Sequence, residues 1–439
     1  MMGRWAIVVL VLIAACGDAV TPTIATAVTT STTAATTSTT SSIDVGAWRA
    51  DLDAFVAGLE RIHPNPYWRV GEDVFKADVA AVSARLPELT EDQATLEIVR
   101  LAALIDGHTS VFVGFLGWDL AHIQFYAFDE GIGVVGSDDP ALVGGRLIAI
   151  GDTPADEAVE RVAVLVSYDN PMTKNFWTPF LLTVPRVLAG LGITDDPDLA
   201  TFTIETRDGS TVEVTPETGD FEQFRAWFGD PVIGMPVSDR AEYLARRTSP
   251  FWWHTLDDGT VYLQYNEVTG AAEDPATGHV VALIDIVNDV AAALDATPGS
   301  RLVLDVRHNG GGDNHTYGRL LTMLGDHFAD ECGLFVITGR ATFSAAVNFV
   351  TEVEQQTTAV LVGEPTGGAP NNYGDIVNVN LPNSRIAVRV SRLYWEFGGP
   401  DDHRIWIEPQ IAVPPTLADW NAGRDAALEA ALAAPLCGS

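Results

Sequence analysis

The chain has 439 residues, 47% of them hydrophobic and 19% charged. A chain of this composition can bury a large core, which excludes wholesale disorder. Lysine and arginine number 25 against 59 aspartates and glutamates, a net charge of -34. So acidic a protein is not a nucleic-acid binder, because phosphates need neutralising cations, and its folded body is a poor partner for anionic membranes.

The first segment reads as an address. Arg4 precedes an apolar run, Trp5 to Ala15, too short to span a bilayer. It ends Ala14-Ala15-Cys16-Gly17, small residues before a cysteine, which resembles a lipobox. That resemblance implies a lipid on Cys16 and attachment to the extracytoplasmic face of a cell membrane. Between Thr21 and Ser42, 15 of 22 residues are Thr or Ser, a flexible stalk rather than a core. Cys332 and Cys437 remain, and an exported chain permits a disulfide, but spacing alone does not show that these two meet.

From Val45 to about Leu104 apolar residues recur at helical spacing: Leu52, Phe55, Val56 and Leu59, then Val79, Val82 and Leu86. His63-Pro64-Asn65-Pro66 breaks the first helix, and Thr90 with Gln93 forms a capping box. A β-rich stretch follows, with strands expected at Gly131–Gly136, Gly145–Ile150 and Ala200–Thr206. A helix is expected up to about Leu165, and Arg207 to Ser210 make a hairpin turn. Residues 145–154 loosely match the Gly-Asp…Pro stretch of PDZ modules, and 170–198 then read as a helical insertion. From Phe251 strands alternate with helices: Thr260–Tyr265, Arg301–Arg307, Leu334–Thr338 and Ala359–Gly363 are strands, and 280–294, 317–324 and 344–355 helices. Such alternation means a largely parallel sheet, with its site at the strands' carboxyl ends. The runs Phe251-Trp252-Trp253 and Tyr394-Trp395-Glu396-Phe397 are candidates for core, interface or ligand groove.

Two turns at those ends carry chemistry. Asn309-Gly310-Gly311-Gly312 exposes backbone N–H groups without side chains in the way, as an oxyanion hole requires. No Gly-Lys-Ser/Thr follows it, which argues against a phosphate loop. Thr342-Phe343-Ser344-Ala345 opens a helix; a serine there serves either as an N-cap or as a nucleophile beside the Ala345 N–H. No cluster has metal-ligand spacing, and no cofactor motif is present.

These two turns, together with Val362-Gly363-Glu364-Pro365-Thr366-Gly367-Gly368, resemble the tail-specific, or carboxyl-terminal-processing, serine peptidases. The tricorn protease core and interphotoreceptor retinoid-binding protein belong to the same superfamily. The resemblance implies an α/β fold: a crotonase/Clp-like core over 250–436, an N-terminal helical domain over 43–118 and a PDZ-like module over 122–217, behind a signal peptide (1–16) and a linker (17–42). It implies Ser344 as nucleophile, with Gly311 and Ala345 holding the oxyanion. The family's lysine base is missing, since the chain's two lysines are Lys76 and Lys174. A histidine replaces it by analogy with tricorn-like relatives: His108 in Asp106-Gly107-His108, with His63 and His308 as rivals. Asp402 is the expected orienting acid, with Asp401 and Glu364 as alternatives. The expectation is a serine peptidase acting on peptides or proteins without cofactor; a binding protein for an apolar ligand or peptide on the same frame is the alternative, and oligomeric state is left open.

Overall fold

Aliphatic strands over 251–412 assemble into a six-stranded sheet in the order Ile411–Ala412, Val360–Gly363, Leu334–Thr338, Leu302–Asp305, Val261–Tyr265, Phe251–Thr255. All neighbours run parallel except the last pair. This computed structural model describes residues 43–223, 240–275 and 277–436, all within one compact unit. The expected signal peptide, linker and lipid site lie outside them. Cys332 is disulfide-bonded; the chain's other cysteines, Cys16 and Cys437, are outside the described residues. Among those residues no helix is long and apolar enough to cross a membrane.

Both faces of the sheet are covered, so its strands are apolar throughout. Leu302, Leu304, Val336 and Leu361 point toward helices Leu283–Ala296, Gly318–Phe328 and Ala345–Gln356. Their alternates Val303, Phe335, Ile337 and Val362 point toward Ala427, Leu428 and Ala431 of helix Ala426–Ala433. The Phe251-Trp252 pair belongs to this core, one residue on each side of the antiparallel edge strand.

Helices Val45–Ile62, Glu72–Arg85 and Glu91–Ala103 form the N-terminal helical part, and Thr90 and Gln93 close the expected capping box. A second sheet holds Ile123–Phe128, Gly131–Ser137, Arg146–Ile150, Phe202–Glu205 and Thr211–Val214. The helices and this sheet share one core, in which Phe55, Leu59 and Val99 join Ile123, Phe125 and Phe202. The boundary drawn from sequence near 118–122 therefore falls inside a continuous core.

One large element was not legible in the sequence. Asn371–Asn380 and Ala387–Glu396 form a long antiparallel hairpin that packs on helix Val45–Ile62. Gly58 makes that approach possible: a β-carbon there would lie 2.6 Å from Val379 Cγ1. Buried Asp51 on the same helix accepts from the Asn383 and Ser384 amides at 2.8 and 2.7 Å, fixing the hairpin's turn. The hairpin also bonds to the loop after the helices, through Ser110 N–H to Arg389 O (3.0 Å) and Arg389 N–H to Ser110 O (2.8 Å). Asp51→Ala removes the acceptor of both amides at the half-exposed turn and should cost about 1–2 kcal/mol of stability. Urea unfolding followed by tryptophan fluorescence measures this; an unchanged midpoint would mean that the carboxylate does not hold the turn.

Candidate active site

The two glycine- and serine-bearing turns meet at the carboxyl ends of Leu302–Asp305 and Leu334–Thr338. Asn309 is buried, and its Nδ2 donates to Tyr265 O at 2.8 Å. Phe343 N–H donates to Asn309 O at 3.1 Å, and the Thr342 hydroxyl donates to Val306 O at 2.9 Å. Gly367 N–H then donates to Thr342 O at 3.0 Å, which ties in the third motif. The three sequence motifs thus interlock through backbone groups.

Ser344 does not cap the helix that it precedes. Its side chain makes no capping bond, and its backbone lies at φ 53°, ψ -129°, a strained conformation for a residue with a side chain. Nucleophile turns between a strand and a helix carry such strain. Gly311, at φ 105°, packs directly against it: a β-carbon there would stand 2.7 Å from Ser344 Cβ and 2.9 Å from Ala345 N.

The expected oxyanion donors divide. Ala345 N–H has no intramolecular acceptor. Gly311 N–H is already committed to Asn309 Oδ1 at 3.0 Å. Gly311 therefore contributes space and close approach in this state rather than a free donor. Gly312 lies beside Val268, which bonds to its neighbours through Val268 N–H to Gly311 O and Asp313 N–H to Val268 O. In such a parallel bridge the N–H of Gly312 points away from Val268, and it too is without an acceptor.

His108 stacks on Phe343, the residue before Ser344, with ring centroids 4.4 Å apart and planes 23° apart. Neither ring nitrogen has a side-chain partner, and the ring is buried. Burial lowers its pKa to about 4, with the Asp106 charge opposing, the Arg389 charge assisting and the Tyr373 backbone opposing weakly. The imidazole is therefore neutral at neutral pH, the form that accepts a proton.

The loop beneath it is held by Asp106, which the sequence reading had not singled out. Its carboxylate accepts from the His108 and Thr109 amides (2.7 Å each), the Thr109 and Ser391 hydroxyls (2.9 Å each) and His63 Nε2 (2.7 Å). Burial would raise its pKa, but the bonds from His63 and Thr109 outweigh that and hold it at about 2. His63 is thereby excluded as the base: its Nδ1 accepts the Asn65 N–H at 3.0 Å and its Nε2 serves Asp106. The Asp-x-His spacing was the available signal, since an aspartate that accepts from the amide two residues on makes an Asx turn.

The acids expected to orient the imidazole are engaged elsewhere. Asp402 pairs with Arg404, which also pairs with Glu354. Asp401 is exposed. Glu364 is bound by Arg340. The geometry thus corrects the choice of Asp402, because an arginine two residues away captures it. His308 lies beside Tyr243, ring centroids 5.5 Å apart, with burial and then the Arg247 and Arg307 charges keeping it neutral. Lys76 pairs with Glu60 and Glu72, and Lys174 lies over the Tyr168 ring, so neither lysine serves Ser344. Among the described residues no cluster of His, Cys, Asp or Glu is placed to hold a metal.

A cleft of about 190 Å³, open to solvent, borders the turn at Gly339, Arg340 and Ala341 without including Ser344. Phe128, Phe176, Trp177 and Trp420 give it an apolar lining. Arg307, Arg340 and Arg424 on its wall are each ion-paired.

This architecture is similar to the fold of mature CPAF. Mature CPAF superposes with a TM-score of 0.59 at 15% identity, over 86% of this chain and 95% of that one. CPAF complexed with lactacystin gives 0.57 at 14%, over 86% and 96%. The photosystem II D1 C-terminal processing protease aligns over 87% and 98% at 14% identity, with a TM-score of 0.37. No family model and no curated protein matches the sequence.

Gly311→Ala forces a side chain into Ser344 at a backbone angle that L-residues avoid. Labelling of Ser344 by an organophosphonate should fall at least about 100-fold, with the fold retained by circular dichroism. Labelling at the parent rate would show that this contact does not shape the nucleophile.

Proposed function

We propose that the protein is a serine peptidase in which Ser344 is the nucleophile and His108 the general base. The carrying observation is the strained, uncapped Ser344 beside the free Ala345 N–H, with the neutral His108 ring stacked on the adjoining Phe343. His108 takes the Ser344 hydroxyl proton as Oγ bonds to the peptide carbonyl carbon. Ala345 N–H, with the unengaged Gly312 N–H as the second candidate donor, stabilises the oxyanion. Collapse of the tetrahedral species breaks the C–N bond, and His108 returns the proton to the leaving amine. Water then repeats the sequence on the acyl-enzyme. The substrate is a peptide or protein, and the apolar cleft beside Ala341 gives room for bulky side chains next to the scissile bond.

The small-residue stretch before Cys16 supports the further proposal of an exported enzyme held by a lipid at that residue. The Thr/Ser-rich segment then serves as its stalk.

Incubation with a diverse peptide library, read by mass spectrometry, tests the activity. The parent should cleave, and Ser344→Ala and His108→Ala should each lose about 10³–10⁴-fold. Cleavage that survives in Ser344→Ala would remove the assignment. No cleavage by the parent would instead favour a binding protein that uses the apolar cleft.

A further inference from the structure

His108 becomes an imidazolium when it takes the Ser344 proton, and a buried cation needs a counter-charge. This inference rests on the Ser344–His108 reading above. Asp402 and Glu364 are held by arginines; Asp106 is ionised and its charge reaches His108, but its oxygens are taken by five donors, one of them the His108 main-chain amide, which leaves none to spare for the ring.

One further carboxyl group stands at the loop. Asp169 lies beyond helix Ala155–Ala163, in a segment that spans the site. Its Oδ1 accepts the N–H of Gly107, the residue before His108, at 2.9 Å. Its Oδ2 is buried and has no partner. A β-carbon on Gly107 would lie 2.8 Å from the Asp169 carboxyl and 3.0 Å from the Phe343 ring, the ring that stacks on His108. Gly107 is thus the thin spacer around which carboxyl, phenyl ring and imidazole gather. The segment is firmly anchored. Ser167 donates to Thr109 O (2.7 Å), Asn170 to Thr366 O and Ile405 O (3.0 and 2.8 Å), and Thr173 to Gly367 O (2.5 Å).

We propose that Asp169, rather than Asp402, is the carboxylate that joins Asp106 in balancing the His108 imidazolium, a positioning residue that acts through the imidazole. The two carboxyls flanking the Asp-Gly-His turn are driven apart by their surroundings, the pattern that separates acid–base roles. Burial and then the Asp106 charge push Asp169 up to about 7, with the Gly107 amide and Arg69 opposing. Asp106 stays ionised with its pKa at about 2.

The charged groups facing Asp169 are Asp106 on the loop and Arg69 beyond the first helix. Arg69 has no partner for its terminal nitrogens, and its guanidinium lies over the Trp68 and Tyr168 rings at 4.7 and 4.3 Å. Those facing His108 are Asp106 and, on the hairpin, Arg389. Below its pKa Asp169 is neutral and cannot balance the cation; above it the carboxylate is in place before the proton moves. No proton is transferred to Asp169: one passes from Ser344 to His108 and on to the leaving amine.

Asp169→Asn tests this, because the amide oxygen keeps the Gly107 N–H bond while the charge is lost. The organophosphonate labelling rate of Ser344 is measured from pH 4 to 9 on the full chain. The parent should show an acid limb near pH 7, where buried Asp169 loses its proton. In Asp169→Asn the plateau should fall about 100-fold, and the limb should move down toward pH 4, where His108 itself takes a proton. With a cleaved peptide, kcat should fall while KM holds, and the melting temperature should stay within a degree or so of the parent. Asp402→Asn should overlay the parent profile. An Asp169→Asn profile that overlays the parent, or one lowered uniformly with its limb unmoved, overturns the proposal. A parent that does not label at Ser344 overturns the Ser344–His108 reading itself, and the two failures are told apart by that first curve.

Discussion

The site depends on the satisfaction of one buried charge, the carboxylate of Asp106. An ionised carboxylate removed from water costs several kcal/mol, roughly, unless hydrogen-bond donors replace its hydration. Here the donors come from parts of the chain far apart in sequence. His63 ends the first helix, His108 and Thr109 belong to the loop, and Ser391 belongs to the hairpin 285 residues away. None can withdraw without leaving the charge short. Helix, loop and hairpin are therefore fixed together, and the His108 ring with them.

The Ser344 turn is held in a different way, by backbone contacts rather than by charge. Ser344 sits in a conformation that a free chain would leave. It persists because Thr342 and Phe343 bond to Val306 and Asn309 in the neighbouring turn, and because Gly311 leaves no β-carbon in the way. The strain serves a purpose that an N-cap would defeat: the hydroxyl is not spent on the helix's own amides. The same logic sets a limit on Gly311, whose N–H is spent on Asn309 Oδ1.

A chain with a net charge of -34 might be expected to crowd its site with anions. Instead the acidic groups around the strand ends are matched by arginine: Asp305 and Asp425 by Arg307, Glu364 by Arg340, Asp402 by Arg404. Among the buried polar atoms without partners, the His108 nitrogens, Asp169 Oδ2 and the terminal nitrogens of Arg69 belong to groups at or near the Asp106–His108 loop, while others such as Trp252 Nε1, Tyr265 Oη and Ser300 Oγ lie elsewhere. Buried polar atoms without partners are costly, and those of His108 and Asp169 belong to the two groups between which charge is proposed to be balanced.

Continuous aliphatic runs alternating with helical periodicity, local properties of the chain, announced the parallel sheet and the first three helices. The glycine turn and Ser344 were legible because their backbone requirements are written in residue type at strand ends. The hairpin over 371–396 was not, since its strands are rich in Asn, Arg and Ser, and their burial comes from docking on helix Val45–Ile62. His108 could be named from the Asp-Gly-His spacing and the family resemblance, but not its surroundings. The family resemblance suggested Asp402, which is paired with Arg404. By itself, then, the sequence determined the strand–helix alternation, the nucleophile turn and the absence of a lysine base. Which carboxylates stand near the imidazole, and which are neutralised by arginine, was decided only by tertiary structure, because charge pairing depends on distances that folding creates between residues remote in the chain.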